Sequence, residues 1–256
     1  MTDTHTHLYM PDAYPDGGVE AVENAIATGV CHMVFPCVTL DSLAPMMSLS
    51  ERFPDNIRLA IGLHPTEIDS DWESQLDRME AMLPGDFSAV GEVGIDLYHD
   101  SSRREEQKEA FSRQIKWAQQ YNLPVIIHCR DGIDDTLEIL SKVEGEMPVL
   151  IFHSFTGGVE EVRRIREICD PWFGINGVVT FKNAPLLREA LPEIGIERIL
   201  LETDAPWLSP APHRGKRNES SRIPYIRDKV AETLGLSPEE VERTTDASAS
   251  KIFGFP

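Results

Sequence analysis

Asp3, His5 and His7 occupy alternate positions in the segment TDTHTHL (2–8). In an extended chain alternate side chains share a face, and two imidazoles at i and i+2 can hold one divalent cation. An exposed polar start of the chain would read the same way for this segment alone. Four more polar residues stand near the ends of apolar runs: Glu92 in VGEVGID, His128 in VIIHC, His153 in LIFHS and Asp204 in ILLETDAP. A polar group there costs several kcal/mol unless it is hydrogen-bonded or ligates something, by order-of-magnitude transfer estimates. Metal binding by His5, His7, Glu92, His128, His153 and Asp204 is the economical expectation. Six ligands are too many for one catalytic zinc, which takes three protein ligands plus water, so two divalent ions are expected. Glu92 has two oxygens and can bridge them, and water deprotonated between the ions becomes the nucleophile. Asp204 can both ligate and accept that water's proton. Asp204 and Glu92 are therefore the expected catalytic residues. Histidine-rich ligation suits zinc, manganese, iron or nickel, with magnesium able to support activity in excess.

The elements that must position these groups are short apolar runs separated by helical patterns. Strands are expected at 2–8, 32–38, 57–65, 88–96, 124–129, 148–155, 171–177 and 198–206. The clearest helix is 101–122, with acidic residues early and Phe111, Ile115 and Ala118 at helical spacing. Others are 157–169 and 237–254, the latter opening on Ser237, Pro238 and Glu240 as a capping box with proline in the first turn. Eight strands alternating with helices imply a parallel sheet. The polar strand ends are spread over most strands, which favours a closed (β/α)8 TIM barrel, class α/β, over an open sheet with one crevice. Residues 1–256 are expected to form a single domain with its metal site at the C-terminal ends of the strands. The segment 209–224 is the one long irregular stretch and carries Arg214, Lys216, Arg217 and Arg222.

The 24 Lys and Arg residues against 43 Asp and Glu give a formal charge of −19. A surface so acidic excludes a protein that coats duplex DNA. A nucleic-acid substrate would have to be met locally, with cations in the site. Cys31, Cys37, Cys129 and Cys169 form no C-x-x-C pair and are expected to be reduced thiols, with Cys129 facing away from the site. No apolar stretch is long enough to span a membrane and no signal peptide is recognisable, so the expected location is cytoplasmic. A monomer without an obligate protein partner is expected.

The motifs DTHTHL, GLHP, GEVGID, IIHCRD, FHSFTG and LETDAPWLSP, in that order along nearly the whole chain, resemble the TatD family of metal-dependent hydrolases in the amidohydrolase-like superfamily. The resemblance implies a TIM barrel and a metal-dependent deoxyribonuclease, a 3′–5′ exonuclease on single strands whose substrates are DNA strand ends. It implies metal binding at the same six positions reached above. A glutamate rather than a carboxylated lysine at the bridging position is similar to the TatD branch. His64 in GLHP is expected to donate to a phosphate oxygen, Lys182 resembles a family position near the site, and Trp207 can stack on a base or close the barrel mouth. Arg217 belongs to a stretch similar to the family's RNEP, although Ser220 stands where proline is usual. That departure bears on substrate orientation. Arg130 is expected to point away from the ligands. The alternative function is hydrolysis of another ester at the same site, either deacylation of D-aminoacyl-tRNA or cleavage of a small phosphoester. A basic channel along 209–224 would favour a polynucleotide, and a narrow pocket a small substrate.

Overall fold

The computed structural model describes residues 1–83 and 85–256. Eight strands form one parallel sheet in sequential order: β1 (Thr2–Asp3), β2 (His32–Pro36), β3 (Ile57–Ile61), β4 (Ala89–Asp96), β5 (Val125–Arg130), β6 (Leu150–Phe152), β7 (Trp172–Ile175) and β8 (Ile199–Leu201). The first and last strands meet where the Thr4 amide donates to the Leu201 carbonyl at 3.0 Å and Thr6 bridges Ala205 in parallel. Asp3 strengthens this seam. Its carboxylate accepts from the Thr203 amide at 2.9 Å and the Thr203 hydroxyl at 2.6 Å. A nearly closed (β/α)8 barrel results, as expected.

Nine helices surround or cap it among the described residues: α1 (Val19–Ala27), α2 (Leu40–Arg52), α3 (Trp72–Glu80), α4 (Arg104–Tyr121), α5 (Ile133–Ser141), α6 (Val159–Arg166), α7 (Pro185–Ile194), α8 (Ile223–Leu234) and α9 (Pro238–Phe253). Of the capping box expected at α9, the serine half forms: the Glu240 amide donates to the Ser237 hydroxyl oxygen at 3.2 Å. The expected irregular segment 209–224 is shorter, because α8 begins at Ile223. The strands are also shorter than their apolar runs. β1 ends at Asp3 and β8 at Leu201, so His5, His7 and Asp204 stand on the chain just beyond a strand.

Packing divides into two layers. Helices bury their apolar faces on the outside of the sheet around Phe35, Ile61, Phe111 and Phe173. Inside the barrel, Val34, Ala60, Ala89, Ile126, Ile151 and Leu200 form a separate core that Phe253 and Phe255 plug from the N-terminal ends of the strands. Burying each such side chain stabilises the fold by roughly 1.5–3 kcal/mol. This plug leaves the C-terminal mouth as the open end. No helix among the described residues is long and apolar enough to cross a membrane.

Candidate metal centre

Strand pleat and one irregularity aim the ligating groups inward. On β5 the inward Ile126 is followed two residues later by His128, which shares its face. On β4 straight alternation from the inward Ala89 would turn Glu92 outward. The register with β5 shifts between Val90 and Val93, and this irregularity brings Glu92 into the mouth. Asp204 lies beyond β8 with φ 54°, a left-handed conformation costly for a non-glycine residue and common where a site holds it in place. Its amide donates to the His5 carbonyl at 2.9 Å, which ties the two ligand-bearing segments together.

Glu92 is the hub. Its Oε2 lies 3.1 Å from His5 Nε2 and 3.7 Å from His7 Nε2. Its Oε1 lies 2.8 Å from His128 Nδ1, 3.3 Å from His64 Nε2 and 3.5 Å from His153 Nε2. Asp204 completes the ring, with Oδ1 3.7 Å from His7 Nε2 and Oδ2 4.0 Å from His153 Nε2. The structure thus brings together all six residues expected as ligands, and His64 with them. Two groups, His5–His7–Glu92 and His64–Glu92–His128, each have ligand atoms close enough to hold one ion and share Glu92.

Hydrogen bonds assign the ring nitrogens. The Tyr9 hydroxyl spends its only proton on the Pro36 carbonyl at 2.5 Å and lies 2.8 Å from His7 Nδ1, so His7 Nδ1 donates to it and Nε2 keeps a free lone pair. His128 Nε2 sits 2.9 Å from Asp96 Oδ2, leaving Nδ1 toward Glu92. His64 is the opposite case. Its Nδ1 accepts from the Thr66 amide at 3.2 Å, so in the neutral ring Nε2 carries the proton and points into the site as a donor.

Electrostatics agree with ligation at three of the histidines. Burial, reinforced by neighbouring imidazoles, lowers His5 and His7, and burial brings His153 down to about 3; neutral imidazole is the ligating form. His128 resists burial because its bonds to Asp96 and Glu92 raise it to about 9. Burial opposes charge on Glu92, but the surrounding histidines hold it well below the usual carboxylate range. Burial and the neighbouring Glu92 and Glu202 push Asp204 well up. His5 Nδ1 and Glu202 Oε2 are buried with no hydrogen-bond partner. Buried donors and acceptors normally find partners. Neutral imidazoles and crowded carboxylates around such orphaned atoms fit divalent cations.

Three supporting residues escaped the sequence reading. Asp96, fully buried, holds His128 and also accepts from the Tyr98 and His99 amides at 3.0 and 2.9 Å. Alternation along β4 from Glu92 would have found it. Glu202 accepts from the Ser154 amide at 2.7 Å and places Oε1 3.0 Å from His153 Nδ1, off hydrogen-bond alignment. It stands two residues before Asp204, a spacing that carried the signal. Burial raises Glu202 to about 7. Tyr9 extends the alternation of His5 and His7 by one more step.

These groups line a mouth cavity of about 760 Å³. Trp207 stands at its edge, 49 % exposed, with its ring 5.4 Å from that of His7. Lys182 is exposed and outside the cavity lining. Arg217 is also outside it: its guanidinium lies over Tyr14 and donates to the Ala13 carbonyl at 2.9 Å. None of the four cations of 209–224 lines the cavity, so the basic channel envisaged for that loop is not formed there. Cys129, expected to face away, is also among the residues lining the cavity, and its Sγ accepts from the Thr136 hydroxyl on α5 at 3.5 Å. The expectation for Arg130 is corrected. It is two residues after His128, not one, so it shares the inward face and lines the cavity.

The profile of the family described as TatD related DNase matches residues 2–254. An uncharacterized metal-dependent hydrolase of Bacillus subtilis, YabD, is 37% identical over 99% of this chain and 98% of its own length. A protein of Cronobacter sakazakii named 3′-5′ ssDNA/RNA exonuclease TatD is 34% identical over 91% of this chain and 90% of its own. Among solved structures, the TatD homologue YjjV of Escherichia coli superposes with a TM-score of 0.91 at 25% identity, covering 100% of this chain and 98% of that one.

Proposed function

This chain belongs to the TatD family of metal-dependent hydrolases, and from that premise we propose that it is a nuclease removing nucleotides from the 3′ ends of single-stranded DNA. The observation that carries the reading is the position of Glu92, one oxygen turned to His5 and His7 and the other to His128 and His153. In this reading His5, His7 and Asp204 would hold one cation and His128 and His153 another, with Glu92 contributing to both. Zinc, manganese or magnesium bound there would polarise the scissile phosphate and make water acidic enough to attack it at neutral pH.

The chain's own groups do the rest. Asp204, its oxygens 3.7 Å from His7 Nε2 and 4.0 Å from His153 Nε2, accepts the proton of the attacking water. His64 donates from Nε2 to a phosphate oxygen. Tyr9 and Asp96 hold His7 and His128 in their ligating tautomers. Trp207, exposed at the rim, offers a face on which the terminal base stacks. The name of the Cronobacter sakazakii relative supports a single-stranded nucleic-acid substrate. The acidic surface fits a strand end admitted to a site better than a gripped duplex.

A second reading, hydrolysis of a small phosphoester or another ester, is favoured by one observation: the cations of 209–224 stand away from the cavity. End-labelled single-stranded DNA incubated with zinc, manganese or magnesium decides between them. Stepwise shortening from the 3′ end, absent in Asp204→Asn, is expected. Intact DNA together with hydrolysis of a small phosphoester by the same preparation would move the assignment to the second reading.

A further inference from the structure

Arg130 ends β5 at the rim of the cavity. Among the described residues it is the only arginine or lysine lining that cavity, whose other charged walls include Glu67, Glu92, Asp96 and Asp204. In a chain of net charge −19 several arginines find a carboxylate; Arg104, Arg113, Arg163 and Arg227 all do. Arg130 makes no ion pair and no side-chain hydrogen bond among the described residues. Its guanidinium instead lies 3.7 Å over the ring of Tyr98, which is itself 60 % exposed.

The support beneath this stack is rigid. Arg130 is in register with Asp96, and the Leu97 amide donates to the Arg130 carbonyl at 2.9 Å. Asp96 accepts from the amide of Tyr98, so the carboxylate that holds His128 also fixes the turn carrying the ring. A guanidinium stacked on an aromatic face keeps its N–H edge free for an anion, and two parallel bonds to phosphate are a favoured mode.

We propose that Arg130, positioned by Tyr98, binds a non-scissile phosphate flanking the bond to be cut, and thereby selects polynucleotides over isolated phosphoesters. This rests on the nuclease reading above. It supplies from one residue the anion recognition that the loop 209–224 does not bring to the cavity.

The test compares the metal-loaded wild type with Arg130→Gln, Arg130→Lys, Tyr98→Ala and Tyr98→Phe on end-labelled single-stranded DNA. The same strand is also offered with one flanking phosphate at a time replaced by an uncharged methylphosphonate. Arg130→Gln is expected to raise KM about tenfold or more with kcat within about twofold, the size of a lost charge-assisted bond. Arg130→Lys keeps the charge and recovers part of the loss. Tyr98→Ala follows Arg130→Gln in direction, and Tyr98→Phe matches the wild type. At one flanking position the methylphosphonate raises the wild-type KM by a similar factor and removes the difference between wild type and Arg130→Gln. An unchanged KM in Arg130→Gln, an equal fall of kcat on every substrate, or a variant effect that persists at each neutralised position overturns the proposal while the nuclease reading stands. Failure of the wild type to cut any strand overturns both.

Discussion

The Tyr9 hydroxyl lies 2.8 Å from His7 Nδ1 and gives its own proton to the Pro36 carbonyl, so it acts on His7 as an acceptor only. His7 Nε2 is thereby left as a lone pair facing Glu92 and Asp204. Tyr9→Phe removes that acceptor and nothing else from the ring's surroundings. Affinity for zinc, measured by competition with a chromophoric chelator, should fall by about 10- to 100-fold, the usual cost of losing an outer partner of a metal-binding histidine. The fold should survive, since the phenyl ring still packs beside Phe35, 5.7 Å away.

Asp204→Asn keeps the shape of the side chain and an oxygen that can still approach a cation, but loses the proton acceptor. The expected result is a fall in kcat on single-stranded DNA of about 10²-fold or more, with substrate affinity changed only a few-fold. Equal losses in kcat and affinity would make Asp204 mainly a ligand.

Gly174 on β7 leaves room for Glu202. A Cβ at that position would lie 2.1 Å from Glu202 Oε2 and 2.6 Å from its Cδ. Gly174→Ala should therefore destabilise the protein by about 1–3 kcal/mol through overpacking, read from denaturant unfolding. It should also weaken metal binding by moving the carboxylate that sits beside His153. Combined with Glu202→Ala, the two costs should sum to less than their separate values, because the clash is then gone.

Chelation should lower thermal stability as well as activity. The centre crowds buried carboxylates and imidazoles whose charges and lone pairs a cation would satisfy. At a metal concentration about a hundredfold above Kd, binding contributes about 2.7 kcal/mol, so Tm should drop by roughly 5–10 °C on adding chelator and recover with zinc or manganese. An unchanged Tm, with metal shown to be removed, would argue against a preformed site of this strength.

Much of this site was legible because buried polarity is costly. His128 and His153 directly follow apolar residues and Glu92 and Asp204 stand close to apolar runs, and such placement has few explanations. Strand lengths were less legible: β1 stops at Asp3 because the chain turns there to join β8 through Thr203, a partner 200 residues away. The helix positions near 104, 159 and 238 followed from periodicity and capping, which are local. Supporting residues were harder. Asp96 and Glu202 act across strands, on His128 and His153, and only the register reveals those pairs. The inward turn of Glu92 rests on an irregularity in β4 that no period-two pattern announces. Loop conformation was least legible, since the three arginines of 209–224 are drawn to Phe181, Tyr14 and Ser209 rather than to the cavity.

Glu92 is proposed to join two cation sites. Metal content of the purified protein, equilibrated with zinc, freed of excess and quantified by elemental mass spectrometry, tests it directly. The wild type should carry two equivalents, and Glu92→Gln should lose metal from both sites and its hydrolytic activity with it. Two equivalents retained in Glu92→Gln, or a wild type that saturates at one, would contradict the account.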